Sequence, residues 1–155
     1  MKPKRLLAFD ALERSLKRAA ELEFEDLAAY APLTETLWWI DYLSESFRRQ
    51  EAGYVKAISR SDEGRFINAL EYARNRHTHN RNLKSMHWPD QGFEMDHGRW
   101  RWRHLGDIQK DERKDRKGAA DYEDLLQGKN VFEAFEIAQA FLLAWYDSLE
   151  FKGDD

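Results

Sequence analysis

The stretch "VFEAFEIAQAFLLAWYDSL", residues 131–149, repeats its apolar side chains at the spacing of an α-helix. The repeated positions are Val131, Phe135, Ala138, Leu142, Trp145 and Leu149. Their intervals of four, three, four, three and four residues are those of a helix that buries one face. Asn130 precedes the stretch and Glu133 follows three residues later, a spacing typical of a capping box. We therefore predict that the chain ends its fold with a helix packed against other helices.

Three earlier segments show the same helical period, so the sequence predicts an all-α fold, an antiparallel bundle of four main helices. The first segment covers residues 8–29 and is predicted to break at Pro32. The second covers residues 34–50, with Thr34 as its cap. The third begins at Ser61–Asp62, where both residues are capping types. The whole chain, residues 1–155, is expected to form a single domain.

Residues 87–118 follow another pattern and are predicted to be a loop or hairpin insertion between the third and fourth main helices. Its aromatic residues Trp100 and Trp102 alternate with arginines, and His97–Gly98 is a candidate turn. Two interpretations stay open. Either the two tryptophans pack onto the bundle, or they form a platform where RNA bases stack while the arginines meet phosphates. Residues 120–128, "ADYEDLLQG", predict one or two further helical turns closed by Gly128.

Composition excludes several classes of protein. The chain has no cysteine, which excludes disulfide frameworks, thiol catalysis and zinc–cysteine sites. No segment reaches 18 consecutive apolar residues, so no membrane span is predicted. The N-terminal residues lack the apolar run and cleavage site of a signal peptide, and we expect a cytoplasmic protein.

Charge is unevenly distributed along the chain. The net charge is −4, which argues against broad, non-specific binding of nucleic acid. Residues 72–104, however, carry seven Lys/Arg against three Asp/Glu, together with all five histidines. The remaining residues carry 18 bases against 26 acids. This asymmetry predicts one local basic surface, which faces either phosphate or the acidic surface of a protein partner.

The stretch "ALEYARNRHTHNRN", residues 69–82, supplies the centre of this basic segment at the end of the third predicted helix. At 100° per residue, His77 continues the apolar line of that helix and is predicted to be structural. Tyr72, Asn75 and His79 are predicted to face away from the chain's own core. Arg74 falls on the flank. An exposed histidine beside an amide is a candidate general acid or base, because imidazole titrates near neutral pH.

Arg74, Asn75 and His79 resemble the R-x(4–6)-H motif of the HEPN superfamily, here with four intervening residues and with Asn directly after Arg. The stretches "LWWIDYL", residues 37–43, and "YEDLLQGKNVFEAFEIAQAFL", residues 122–142, resemble small bacterial proteins that carry this motif. The resemblance covers most of the chain in helix order.

The resemblance implies a metal-independent endoribonuclease that needs no cofactor, acting as a toxin or a phage-defence effector. Two protomers of a homodimer would bring their motifs into one cleft, and a protein antitoxin or regulator would be a further partner. In the catalytic set, Arg74 would hold the phosphate oxygens, His79 would transfer protons and Asn75 would orient the arginine or the phosphate. The substrate-binding set would comprise Tyr72, Arg76, Arg81 and Lys84. Some HEPN toxins carry a tyrosine at the position of Arg81, and its absence argues against control by modification of that tyrosine.

Competing interpretations remain. A non-catalytic HEPN-like scaffold would use the same basic helix to dock RNA or an acidic protein. A metal site at His77 and His79 is disfavoured, because helical residues two apart point in nearly opposite directions. Trp38, Trp39 and Trp145 are most simply core or dimer-interface residues.

Overall fold

A computed structural model describes residues 2–79, 86–87, 100–108 and 115–150, and these residues are mostly helical. The predicted all-α class is confirmed. In chain order the elements are α1 (Lys2–Glu21), α2 (Asp26–Gln50), α3 (Tyr54–Arg60), α4 (Asp62–His79), β1 (Met86–His87), β2 (Arg101–Trp102), α5 (Leu105–Ile108), α6 (Arg116–Leu125) and α7 (Val131–Glu150).

The residues that the helical period marks as core are buried on α2 and α7. The fully buried side chains of α2 include Leu33, Leu37, Ile40, Leu43 and Phe47. On α7, Val131, Phe135, Ala138 and Leu142 are fully buried. Trp145 and Leu149 continue the stripe of α7 and pack against the core while partly exposed. Asn130 caps α7 as predicted, because its Oδ1 accepts a hydrogen bond from the backbone N–H of Phe132 at 2.8 Å.

The predicted break at Pro32 is wrong. The first helix ends at Glu21, and a turn leads into α2, which runs through Pro32. A proline inside a helix removes one backbone hydrogen bond, but here Pro32 is buried and the buried apolar stripe that follows it stabilises the helix. Thr34 is therefore not a cap. Its hydroxyl donates back to the carbonyl of Tyr30 at 2.9 Å, inside the helix.

Helix α4, the third predicted helix, packs against four other helices: α2, α3, α6 and α7. Its predicted start is confirmed, since Ser61 Oγ accepts a hydrogen bond from the N–H of Gly64 at 2.9 Å. Helix α1 lies along α2, and α7 contacts both. Helix α3 was not predicted, because seven residues are too few to show a helical period.

A short extended segment that contains Trp100 and Trp102 is hydrogen-bonded to other parts of the chain. Met86 pairs with Trp102 in an antiparallel ladder. The N–H of Trp102 donates to the carbonyl of Lys129 at 3.0 Å, and the N–H of Gly128 donates to the carbonyl of Trp102 at 2.9 Å. Gly128 adopts a φ of 72°, the left-handed conformation that favours glycine. This segment is thereby tied to the connection between α6 and α7.

Both tryptophans of this segment are buried, so the interpretation as an RNA-stacking platform is wrong for them. The ring of Trp102 lies 5.5 Å from that of Phe135, and the ring of Trp100 lies 5.8 Å from that of Tyr30. The predicted turn at His97–Gly98 lies outside the described residues. Helix α6 begins at Arg116, earlier than the one or two turns predicted before Gly128.

Candidate functional site

Helix α4 carries the predicted catalytic positions over its last turns. Asn75 is exposed, as the helical angles predict, and Arg74 is half-buried on the flank. The backbone of α4 continues to His79. The candidate side chains that lie outside the described part of the structure are His77, His79, Arg81 and Lys84.

The Arg74 side chain contacts side chains of α2 and of its own helix. Its Nε lies 3.3 Å from Oδ2 of Asp41 on α2, an ion pair in which both side chains are about one-quarter exposed (23% and 24%). Its guanidinium carbon lies 5.1 Å from the ring centre of Trp38, a cation–π distance. Its Nη1 donates to Oδ1 of Asn75 at 3.2 Å. The structure therefore brings Arg74 and Asn75 together and holds the guanidinium against α2.

Asp41 is a site residue that the sequence reasoning missed. Burial raises the pKa of its carboxyl group, while the nearby Arg74 guanidinium acts in the opposite direction. The signal was present, since Asp41 is the one charged residue in the aromatic stretch "LWWIDYL". A carboxylate among large apolar residues on a helix is expected to pair with a cation. The local spacing of residues, however, does not show which helix carries that cation.

A second charge pair joins α2 to α4 next to the first. Arg48 donates to both carboxylate oxygens of Glu71, at 3.2 Å and 2.7 Å. Ser44 donates to Glu71 at 2.7 Å, and Tyr54 of α3 donates to Ser44 at 3.0 Å. Burial raises the pKa of the Tyr54 hydroxyl, so it stays a hydrogen-bond donor. This network fixes the surface of α4 one turn before Arg74.

The prediction that Tyr72 faces away from the core is wrong. Its side chain is 2% exposed and its ring lies 5.6 Å from that of Tyr122 on α6. The guanidinium of Arg76 covers the Tyr72 ring at 4.8 Å. The physical reason is that α6 covers a second flank of α4, so the buried arc is far wider than one apolar stripe. Tyr72 and Arg76 thus form a cluster on a different side of α4 from Arg74.

One arginine of the basic stretch has an acid beside it on another helix. Asp41 of α2 pairs with Arg74 across the α2–α4 contact. A charge balance that local spacing does not show is thus made between two helices at this position.

Over the described ranges, no group of three or more His, Asp or Glu side chains is placed to hold a metal ion. No described helix is long and apolar enough to cross a membrane. Comparisons with known protein families, with characterised proteins and with solved structures find no significant match to this chain.

Proposed function

We propose that this chain is a metal-independent endoribonuclease of the HEPN type. In this proposal α1, α2, α4 and α7 are the four main helices of an antiparallel bundle. Residues 87–118 are inserted between α4 and α7. The protein acts in the cytoplasm, as a toxin or a phage-defence effector, together with a protein antitoxin or regulator.

The observation that carries the proposal is the fixed position of Arg74 beside Asn75. Asp41 and Trp38 restrain the guanidinium, so its geometry is set before a phosphate arrives. Preorganised donors stabilise a developing charge without reorganising during the reaction. The motif histidine, His79, follows Asn75 by four residues on the same helix, about 6 Å along its axis.

The chemistry follows from these side chains. The 2′-hydroxyl of RNA attacks the adjacent phosphorus, so that a P–O2′ bond forms and the P–O5′ bond breaks. Arg74 holds the non-bridging oxygens, on which negative charge builds. Imidazole accepts the 2′-hydroxyl proton, and an imidazolium supplies one to the leaving 5′-oxygen. A homodimer provides two His79 side chains, one for each proton, with the α4 helices of the two chains facing each other.

The test is cleavage of single-stranded RNA in the presence of EDTA. The products should carry a 2′,3′-cyclic phosphate and a 5′-hydroxyl, and DNA should survive because it lacks the attacking hydroxyl. Arg74→Ala and His79→Ala should each lose activity on the order of a hundredfold or more. Arg76→Ala is the matched control, since Arg76 packs on Tyr72 away from Arg74, and it should lose much less.

One observation favours a second function, the non-catalytic scaffold whose basic helix docks RNA or an acidic protein. Arg74 already has an acidic partner within its own chain, as a structural arginine does. The two functions differ at His79. Growth inhibition on overexpression that persists unchanged in His79→Ala would overturn the ribonuclease and leave the scaffold.

A further inference from the structure

Helices α1 and α2 line an open cavity of about 460 Å³ next to the candidate site. Its lining residues are Lys4, Leu7, Ala8, Trp38, Trp39 and Tyr42. No acid is among them, and one of them, Trp38, is the residue under the Arg74 guanidinium. Trp38 therefore belongs both to the wall of the cavity and to the surroundings of Arg74.

The aromatic walls of this cavity face solvent. Trp38 is 50% exposed and Tyr42 is 48% exposed, although large apolar side chains are normally covered. The two residues are one helical turn apart, so they project from the same face of α2 about 6 Å apart along its axis. That separation is close to twice the roughly 3.4 Å spacing of successive bases in nucleic acid. Trp39 packs edge-to-face on Tyr42 at 5.7 Å and supports the wall.

The same groove between α1 and α2 continues into a second cavity of about 610 Å³. The two cavities share Trp39. Arg14, Lys17 and Arg18 of α1 line the second cavity together with the acids Glu21 and Glu35. Arg18 pairs with Glu35 across the groove, and Arg14 pairs with Asp10 of its own helix. Helix α1 as a whole has six Lys/Arg against three Asp/Glu, within a chain of net charge −4. Aromatic rings thus lie along one groove, between Lys4 at one end and a mixed set of three cations and two acids at the other.

We propose that this groove binds single-stranded nucleic acid, with bases stacked on Trp38 and Tyr42 and the backbone following the cations of α1 toward Arg74. The proposal rests on the ribonuclease function above and identifies its substrate as unpaired RNA that approaches along α2. Stacking on aromatic rings with a basic track beside them is the common mode of single-strand binding. The first cavity, whose lining has no acid, and the excess of cations on α1 favour a polyanion over an apolar peptide or a second copy of this chain.

The experiment measures binding, not cleavage. Fluorescence anisotropy is followed at low salt with a labelled 2′-O-methyl oligouridine, which cannot be cut because its attacking hydroxyl is blocked, and with a DNA oligonucleotide of equal length. Wild-type protein should bind both, and a fully paired RNA duplex should bind more weakly. Trp38→Ala and Tyr42→Ala should each weaken binding by about fivefold to a hundredfold. Trp38→Phe should retain most of the affinity, because phenylalanine still stacks.

Val55→Ala is the matched control, since Val55 is an exposed apolar residue of α3 that lines neither cavity, and its affinity should equal that of wild type. Thermal melts confirm that each variant is folded. The proposal is overturned if Trp38→Ala and Val55→Ala bind the oligonucleotide equally, or if wild type binds none. It is also overturned if light scattering shows a wild-type dimer that Trp38→Ala dissociates, because a second copy would then cover the groove. If the protein binds the oligonucleotide in a Trp38-dependent way but does not cleave RNA, only the ribonuclease proposal is contradicted.

Discussion

Gly64→Ala tests how closely α3 and α4 approach each other. Gly64 is the third residue of α4, and a Cβ built on it would lie 2.3 Å from the carbonyl oxygen of Ile58 and 2.6 Å from its Cα. Both atoms belong to the backbone of α3, so no side-chain rotation relieves the contact. Only Ser61 connects the two helices, and its cap to the Gly64 N–H would open if α3 moved away.

The expected change in stability is opposite in sign to that of a usual glycine-to-alanine substitution in a helix. Alanine in place of glycine inside a helix normally gains about 1 kcal/mol. Here overpacking costs about 1–3 kcal/mol and loss of the Ser61 cap about 1 kcal/mol. The net loss in the free energy of unfolding is therefore about 2 kcal/mol. For a chain of this size that corresponds to a fall in Tm of about 4–8 °C.

The assay is urea denaturation followed by circular dichroism, together with thermal melting. Gly106→Ala is the matched control, because a Cβ at Gly106 meets no atom within 4 Å, and its stability should be unchanged or slightly raised. If Gly64→Ala melts at or above the temperature of wild type, the packing argument for the α3–α4 corner is refuted.

Four further substitutions test the charge pairs. Because burial raises the pKa of Asp41 above its usual 3.8, the folded chain holds that proton more tightly than the unfolded chain. The resulting stability is present at acid pH and is lost as pH rises through the folded pKa. The urea stability of Asp41→Asn relative to wild type should therefore increase between about pH 4 and pH 7. Arg5→Met should lose about 2–3 kcal/mol in urea denaturation, because the buried guanidinium gives up three side-chain partners at the end of α2. Asp121→Asn should lower the Tm more than Asp124→Asn, since both carboxylates bind Arg65 but their exposures are 7% and 61%.

The local sequence pattern predicted the helices that bury one face and that begin at a polar capping residue. The apolar stripes of α2 and α7 and the caps at Ser61 and Asn130 are properties of a few consecutive residues, so they can be identified without knowing what packs against them. Pro32 was misread for the same reason. Its effect on α2 depends on the burial of the turns that follow it, and that burial belongs to the tertiary structure.

The candidate site was only partly accessible from the sequence. The exposure of Asn75 followed from its helical angle, but the burial of Tyr72 did not, because α6 comes from a segment about 50 residues away. Asp41 was missed because its partner lies on another helix. Contacts between elements that are distant in sequence produce no periodic pattern in the sequence. Side chains that make such contacts form most of this candidate site.

Under the proposed function, the ion pair between Asp41 and Arg74 would affect how a phosphate binds. A phosphate of a nucleic acid that meets an unpaired arginine releases the cation condensed on it, which favours binding and makes it depend on salt. Arg74 instead carries the covalently anchored carboxylate of Asp41, so an arriving phosphate would meet a partly neutralised charge and release less of its own cation. Binding at this arginine is then an exchange between two anions within one pocket. Its contribution to the salt dependence should be smaller than the slope of roughly one per phosphate contact shown by unpaired cations.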